Sequence, residues 1–145
     1  MEKIIISTPD SVSAIIIGAK WEAVVKLLPE SGVAIITDYN VFDLYGSDFP
    51  DFPVLKIKPG EQSKQLKVVE SLLKKFLDIG LDRSGFILGI GGGVVCDISG
   101  FIASLYMRGI RCGFVSTSLL SQVDASTGGK NGVNIGLIKN VIGNF

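Results

Sequence analysis

The residues able to do chemistry collect in a few short stretches. The densest is Gly89-Ile90-Gly91-Gly92-Gly93-Val94-Val95-Cys96-Asp97, where an apolar run from Gly85 to Ile90 breaks into consecutive glycines and then turns helical with an early carboxylate. Glycines let a backbone approach a ligand and adopt positive φ, and the first turn of a helix offers unpaired N–H groups at a positive dipole end. The chemistry implied is the binding of an anion such as phosphate. Val94 stands where the usual dinucleotide fingerprint has its last glycine, so the run alone is a weak nucleotide signal and its surroundings decide.

Three further polar clusters each follow an apolar run: Thr37-Asp38-Tyr39-Asn40, Gly60-Glu61-Gln62-Ser63-Lys64 and Ser116-Thr117-Ser118. Each has a local explanation, with Asp38 and Asn40 as turn formers and Ser63, Thr117 or Ser118 as helix caps. Together they suit a dinucleotide: a carboxylate accepts from ribose hydroxyls, while hydroxyls, amides and an ammonium hold pyrophosphate. Asp97 either favours the dipole of its helix or touches cofactor or substrate. The last third, Ser121 to Asn134 followed by Lys139-Asn140, is unusually polar for so apolar a chain. It reads either as a mobile polar loop with turn glycines or as a site whose Asp124, lysines and amides fit a polyhydroxylated phosphate ester.

The elements that must position these residues alternate. Ile4 to Ile6 and Ala14 to Ile17, separated by a Ser/Thr/Pro/Asp turn, form an edge hairpin. Trp21 to Leu28 has helical spacing and stops at Pro29; Val33 to Thr37 and Val54 to Lys58 are strands. Gln65 to Ile79 is an amphipathic helix with Leu66, Val69, Leu72, Leu73 and Phe76 inward, Lys67, Lys74 and Lys75 outward, and Gly80 as its stop. Phe86 to Ile90 is a central strand, Val94 to Tyr106 a buried helix and Arg111 to Ser116 a further strand. The fold class expected is therefore α/β: a Rossmann-like parallel sheet with helices on both faces and a short N-terminal β-hairpin, with ligands outside the carboxyl ends of its strands.

Composition narrows the function classes. At 145 residues the chain fits one domain, residues 1–145, with a core that needs no disulfide or metal staple. It is 47% hydrophobic and 19% charged, which excludes disorder, and no apolar run reaches the roughly 18 residues of a membrane span. Fourteen basic and fourteen acidic residues cancel without a basic block, so no nucleic-acid partner and no membrane partner is expected. Met1-Glu2-Lys3 and the isoleucines after it lack the form of a signal peptide, and a cytoplasmic location is expected. Cys96 and Cys112 sit among apolar neighbours as reduced, packed thiols. With no histidine, the chain has no His general base and no His metal ligand, and no metal-binding residue is assigned.

Gly91 to Phe101, Tyr106-Met107-Arg108-Gly109 and Leu119 to Lys130, in this order and spacing, resemble the 3-dehydroquinate synthase family. Thr37-Asp38-x-Asn40 and Pro59-Gly60-Glu61-x-x-Lys64 extend the resemblance over the whole chain, and the Ser121-Gln122-Val123-Asp124 to Gly128-Gly129-Lys130 block is its most specific part. Cys96 stands where the family commonly has glycine, Ser116 and Ser118 replace a proline and a threonine around Thr117, and Asn131 replaces a threonine. The resemblance implies an NAD-dependent enzyme that converts 3-deoxy-D-arabino-heptulosonate 7-phosphate into 3-dehydroquinate and phosphate. It implies that Asp38, Asn40, Glu61, Lys64, Gly92, Gly93, Asp97, Thr117 and Ser118 serve the NAD site, with Lys139 and Asn140 near the nicotinamide. Asp97, Asp124, Lys130 and Asn140 would face the sugar-phosphate substrate. Arg108 would reach phosphate in the partner subunit's site of a homodimer.

The family also has a mostly helical second domain, which supplies a glutamate and two histidines to a catalytic metal, usually zinc. Those ligands are not in this chain. The resemblance therefore implies an NAD-binding domain that is inactive alone, with its substrate loop after Val123 mobile. The alternatives are a related sugar-phosphate cyclase, a polyol dehydrogenase or a non-catalytic nucleotide-binding module.

Overall fold

The computed structural model describes residues 1–9 and 12–145. Two isoleucine-rich strands, β1 (Glu2–Ser7) and β2 (Val12–Ile17), pair antiparallel with Glu2 opposite Ile17. The turn expected between them includes Asp10 and Ser11, which lie outside the described residues.

The body is a parallel sheet of β3 (Val33–Asp38), β4 (Val54–Ile57), β5 (Phe86–Gly91) and β6 (Arg111–Ser116) in the order β4-β3-β5-β6. Its helices are α1 (Trp21–Val25), α2 (Tyr39–Tyr45), α3 (Leu66–Asp78) and α4 (Gly93–Leu105). Alternate side chains of each strand point to opposite faces, and each face has its own core. Ala34, Ile36 and Ile87 pack with α3 and α4 through Val69, Leu72, Phe76, Ile98 and Ile102. Val33, Ile35, Leu88 and Ile90 pack with Trp21, Val41, Phe49 and Phe52 on the other face. The expected doubly covered parallel sheet is what the chain forms.

Several elements differ from the sequence expectation. The α1 helix stops at Val25 rather than Leu28, because Leu27 and Leu28 donate to Val24 and Val25 in tighter three-residue turns before Pro29. Leu66, expected on the inward stripe of α3, is exposed as the first residue of that helix. The helix ends as anticipated, in a Schellman motif in which Leu81 N–H donates to Phe76 C=O and Gly80 N–H to Leu77 C=O, with Gly80 at φ +69°.

The polar last third is not one loop. After a π-helical turn (Ser121–Ala125), β7 (Asn131–Ile135) and β8 (Ile138–Asn144) form an antiparallel hairpin on α4. Val133 is fully buried in the core, and the Asn131 side chain lies against Gly100, where a Cβ would come within 3.2 Å of it. Among the described residues no helix is long and apolar enough to cross a membrane.

Candidate dinucleotide and substrate site

The chain leaves β3 toward β4 and returns to the other side of the sheet as β5, so a crevice opens between the carboxyl ends of β3 and β5. The register puts Thr37 beside Ile90 and Gly91 beside Ser116, which brings Asp38, Gly92 and Thr117 to one edge. The buried Thr37 hydroxyl ties the two central strands by donating to Ile90 C=O at 2.8 Å, and Thr117 N–H donates to Gly91 C=O at 3.0 Å.

The glycine run works by close approach. None of Gly91, Gly92 and Gly93 has positive φ, contrary to one use expected of them. A Cβ on Gly91 would meet Val95 at 2.5 Å, so only glycine lets α4 start directly above the strand. A Cβ on Gly92 would come 3.4 Å from Ser118 Oγ. Gly92 is the N-cap and no side chain caps the helix. The first-turn N–H groups of α4 therefore face the crevice edge with no side-chain partner. Ser118 lies alongside, its hydroxyl donating to Ser121 Oγ at 3.0 Å, while Ser121, wholly buried, donates to Ser118 C=O at 2.8 Å.

Asp38 and Ser63 have local roles. Asp38 Oδ1 accepts from Val41 N–H at 3.0 Å and so caps α2, and Asn40 is exposed on that helix. Ser63, expected as a cap, caps nothing: its hydroxyl donates back to Lys58 C=O at 2.6 Å inside the turn.

A second cluster forms where the turn after β4 meets α4 and the β7–β8 hairpin. Lys64, only 3% exposed, places Nζ 2.5 Å from Asp97 Oδ2 and 2.5 Å from Asn140 Oδ1. Two of the three ammonium donors are thus engaged, leaving one for a ligand. Asp97 is the fifth residue of α4, past the first turn, so it owes its place to Lys64 rather than to the helix dipole. Burial pushes its carboxyl above the usual range, the Lys64 ammonium opposes that, and the nearby Glu61 and Asp124 carboxylates reinforce it. Glu61 accepts from Asn134 Nδ2 at 2.9 Å. Lys130 Nζ lies 3.2 Å from Asp124 Oδ1, with both side chains about half exposed, and Lys139 is exposed on β8.

Most of the residues singled out from the sequence therefore share one end of the sheet. Arg108 does not. It is exposed beyond the carboxyl end of α4, a helix of 13 residues and hence about 20 Å long, whose other end carries the glycine run. Met107 and Arg108 both have positive φ, 51° and 67°, an unusual backbone for non-glycine residues. Tyr106 anchors that turn, donating to Leu81 C=O at 2.6 Å.

Sequence reading passed over Trp21 and Tyr45, which with Ile90, Val115 and Thr117 line a groove of about 440 Å³ at the same edge. It also gave no role to Asn134, whose only sequence signal is a polar residue between Val133 and Ile135. Among the described residues no group of three His, Cys, Asp or Glu side chains is arranged to hold a metal ion.

Comparison with known proteins agrees with this fold. Residues 54–145 match the family model described as 3-dehydroquinate synthase N-terminal. The chain belongs to the 3-dehydroquinate synthase family. A 3-dehydroquinate synthase from Sulfolobus acidocaldarius is 50% identical over 95 residues, covering 66% of this chain and 27% of the relative. The 3-dehydroquinate synthase from Alkaliphilus metalliredigens is 41% identical over 159 aligned positions, covering 100% of this chain and 43% of the relative. The chain thus spans less than half the length of these curated relatives. Among solved structures it is similar to a 2-deoxy-scyllo-inosose synthase complexed with carbaglucose-6-phosphate, NAD+ and Co2+, with TM-score 0.85 and 25% identity over 99% of this chain and 43% of that one. It is also similar to 2-epi-5-epi-valiolone synthase from Streptomyces hygroscopicus with NAD+ and Zn2+ bound, with TM-score 0.75 and 30% identity over 84% of this chain and 36% of that one. These are sugar-phosphate cyclase relatives. Asp38 and Asn40 precede the matched family segment, whereas Glu61, Lys64, the glycine run and the hairpin fall within it.

Proposed function

We propose that residues 1–145 are the dinucleotide-binding domain of a cytoplasmic 3-dehydroquinate synthase, which takes 3-deoxy-D-arabino-heptulosonate 7-phosphate to 3-dehydroquinate and phosphate with NAD as its resident cofactor. The observation that carries this reading is the α4 N-terminus, free of any side-chain cap, set beside Ser118 and Thr117 at the β3/β5 crevice. An anionic diphosphate fits there, since it would take up N–H groups that the protein leaves without side-chain partners.

When bound, NAD supplies a reversible hydride acceptor for a substrate alcohol. The first-turn amides of α4 and the Ser118 and Thr117 hydroxyls would bind its diphosphate oxygens. Asp38 would accept from ribose hydroxyls with the carboxylate oxygen it does not use as a cap, and Asn40 would donate beside it. Glu61 and Lys64 would also hold NAD, with Lys139 and Asn140 close to its nicotinamide end. Asp97, Asp124, Lys130 and Asn140 face the sugar phosphate, where the lysine ammonium offsets phosphate charge. Arg108 serves the phosphate of a second subunit's site, so the working unit is a homodimer. The residues of this chain do not fit a catalytic zinc or other divalent metal, because histidine is absent and no cluster of three ligands forms among the described residues. We place such ligands in the part of the relatives' length that this chain does not span, and expect the chain to be inactive alone.

Calorimetric titration of NAD+ into the chain tests the reading. Binding is expected, weakened about tenfold or more by Asp38→Ala through loss of a charge-assisted hydrogen bond of about 1.5–3 kcal/mol. A folded sample that binds no NAD+ would overturn it. Likeness to the synthase complexed with carbaglucose-6-phosphate favours a second reading, cyclisation of a hexose phosphate. Titrating both sugar phosphates into the NAD-loaded chain separates the two.

A further inference from the structure

Two steps along β7 oppose four along β8: Val133 pairs with Ile142 and Ile135 with Ile138, so Lys139, Asn140 and Val141 together stand across from Asn134 alone. The extra residues bulge from the ladder, and Asn140 sits in the bulge at φ +52°. A bulge leaves backbone groups without a ladder partner. Here Asn134 supplies one: its side-chain Oδ1 accepts from Asn140 N–H at 2.8 Å.

The other end of the same amide donates Nδ2–H to Glu61 Oε1 at 2.9 Å, and Asn134 N–H donates to Lys64 C=O at 2.7 Å. Asn134 is 8% exposed and therefore fixed on three sides. The circuit closes through the residue it holds, because Asn140 Oδ1 accepts from Lys64 Nζ, which also pairs with Asp97. One asparagine thus joins the turn after β4, both strands of the hairpin and, through Lys64, the carboxylate of α4. No other residue type of that size presents an acceptor and a donor in one plane.

We propose that Asn134 is a positioning residue for the cofactor and substrate end of the site: it holds the Asn140 backbone left-handed and so aims the Asn140 side-chain carbonyl at Lys64, the partner of Asp97. The functional part rests on the NAD reading above; the conformational part stands on the free chain.

The experiment uses the 15N-labelled chain and four variants. In Asn134→Ala the Asn140 amide should exchange with solvent about tenfold faster or more, with NAD+ affinity falling about tenfold, the size expected for losing a buried hydrogen bond that preorganises a ligand group. Asn134→Asp keeps the acceptor for Asn140 but sets a carboxylate against Glu61, and should fail similarly. Combining it with Glu61→Gln reverses donor and acceptor, and should restore slow exchange at Asn140. Val133→Ala, which opens a cavity in the same strand, is the structural control and should leave the Asn140 amide protected at temperatures where it is folded. Unchanged Asn140 exchange in Asn134→Ala would overturn the proposal, as would equal loss in Val133→Ala. If wild-type chain binds no NAD+, the dinucleotide reading fails while the exchange data still decide the role of Asn134.

Discussion

Lys64 and Asp97 form the pair on which the site is assembled, and their energetics differ from those of a surface ion pair. A nearly buried ammonium is tolerable only with partners in hydrogen-bonding contact, and removing one partner leaves the other charged and desolvated. Burial already holds the Asp97 carboxyl above 3.8 despite Lys64. A carboxyl whose folded pKa exceeds its unfolded value binds protons more tightly when folded, so stability falls as pH rises from 3.8 through the raised value. In Lys64→Met the opposing cation is gone, and the Asp97 titration should move further up. That shift is read by carbonyl NMR, and the stability loss should extend to higher pH than in wild type; an unmoved titration would contradict the pairing. The thiols behave more simply. Burial pushes Cys96 up to about 11 and Cys112 up to about 12, so both are protonated at neutral pH and fill space rather than react. Residue types at the site were legible because glycine runs, carboxylates and lysines have few structural uses in that combination. Their partners were not legible: Ser63, a plausible cap by type, turned back on Lys58, since a side-chain hydroxyl takes whichever carbonyl the turn brings to it.

At the scale of elements, the long periodic ones were readable and the short ones were not. The stripe of α3 and its glycine stop were both foreseen, because thirteen residues give several repeats of one face and Gly80 supplies the left-handed residue that closes the helix. Gly80→Ala should cost about 1 kcal/mol, lowering the melting temperature by about 4 °C, since its Cβ meets no atom within 4 Å and only the backbone strain remains. Thermal unfolding followed by circular dichroism checks this, and an unchanged midpoint would mean that the motif relaxes freely. By contrast α2 was not anticipated: seven residues capped by Asp38 give too little periodicity to separate from a turn. The β7–β8 hairpin was read as loop because its strands carry asparagines, a lysine and glycines, residues poor in β propensity, whose pairing is set by packing on α4.

Across the whole molecule, stability is spread unevenly. The central strands β3 and β5 are buried on both faces by separate cores, whereas the β1–β2 ribbon exposes Ile4, Ile5, Ile6 and Ile17 and, among the described residues, contributes to neither core. A two-stranded ribbon is marginal in isolation. Hydrogen exchange should therefore be slowest in Val33 to Ile36 and Ile87 to Ile90 and fastest in β1, β2 and the Gly136-Leu137 tip, with Gly132 to Asn134 intermediate. Uniform exchange across these segments would refute the two-core account. Taken alone, the sequence determined the α/β class, the strand alternation, the glycine turn into α4 and the clustering of polar residues after strand ends, because each follows from hydrophobic period and local backbone preference, which act within a few residues. Only the tertiary structure decided that Lys64 is buried against Asp97 and Asn140, that Asn134 closes that circuit, and that Arg108 stands a helix length away. Those relations join positions 33 to 76 residues apart, or set the two ends of one helix apart, and arise from how packed layers bring segments together rather than from any preference carried by the segments themselves.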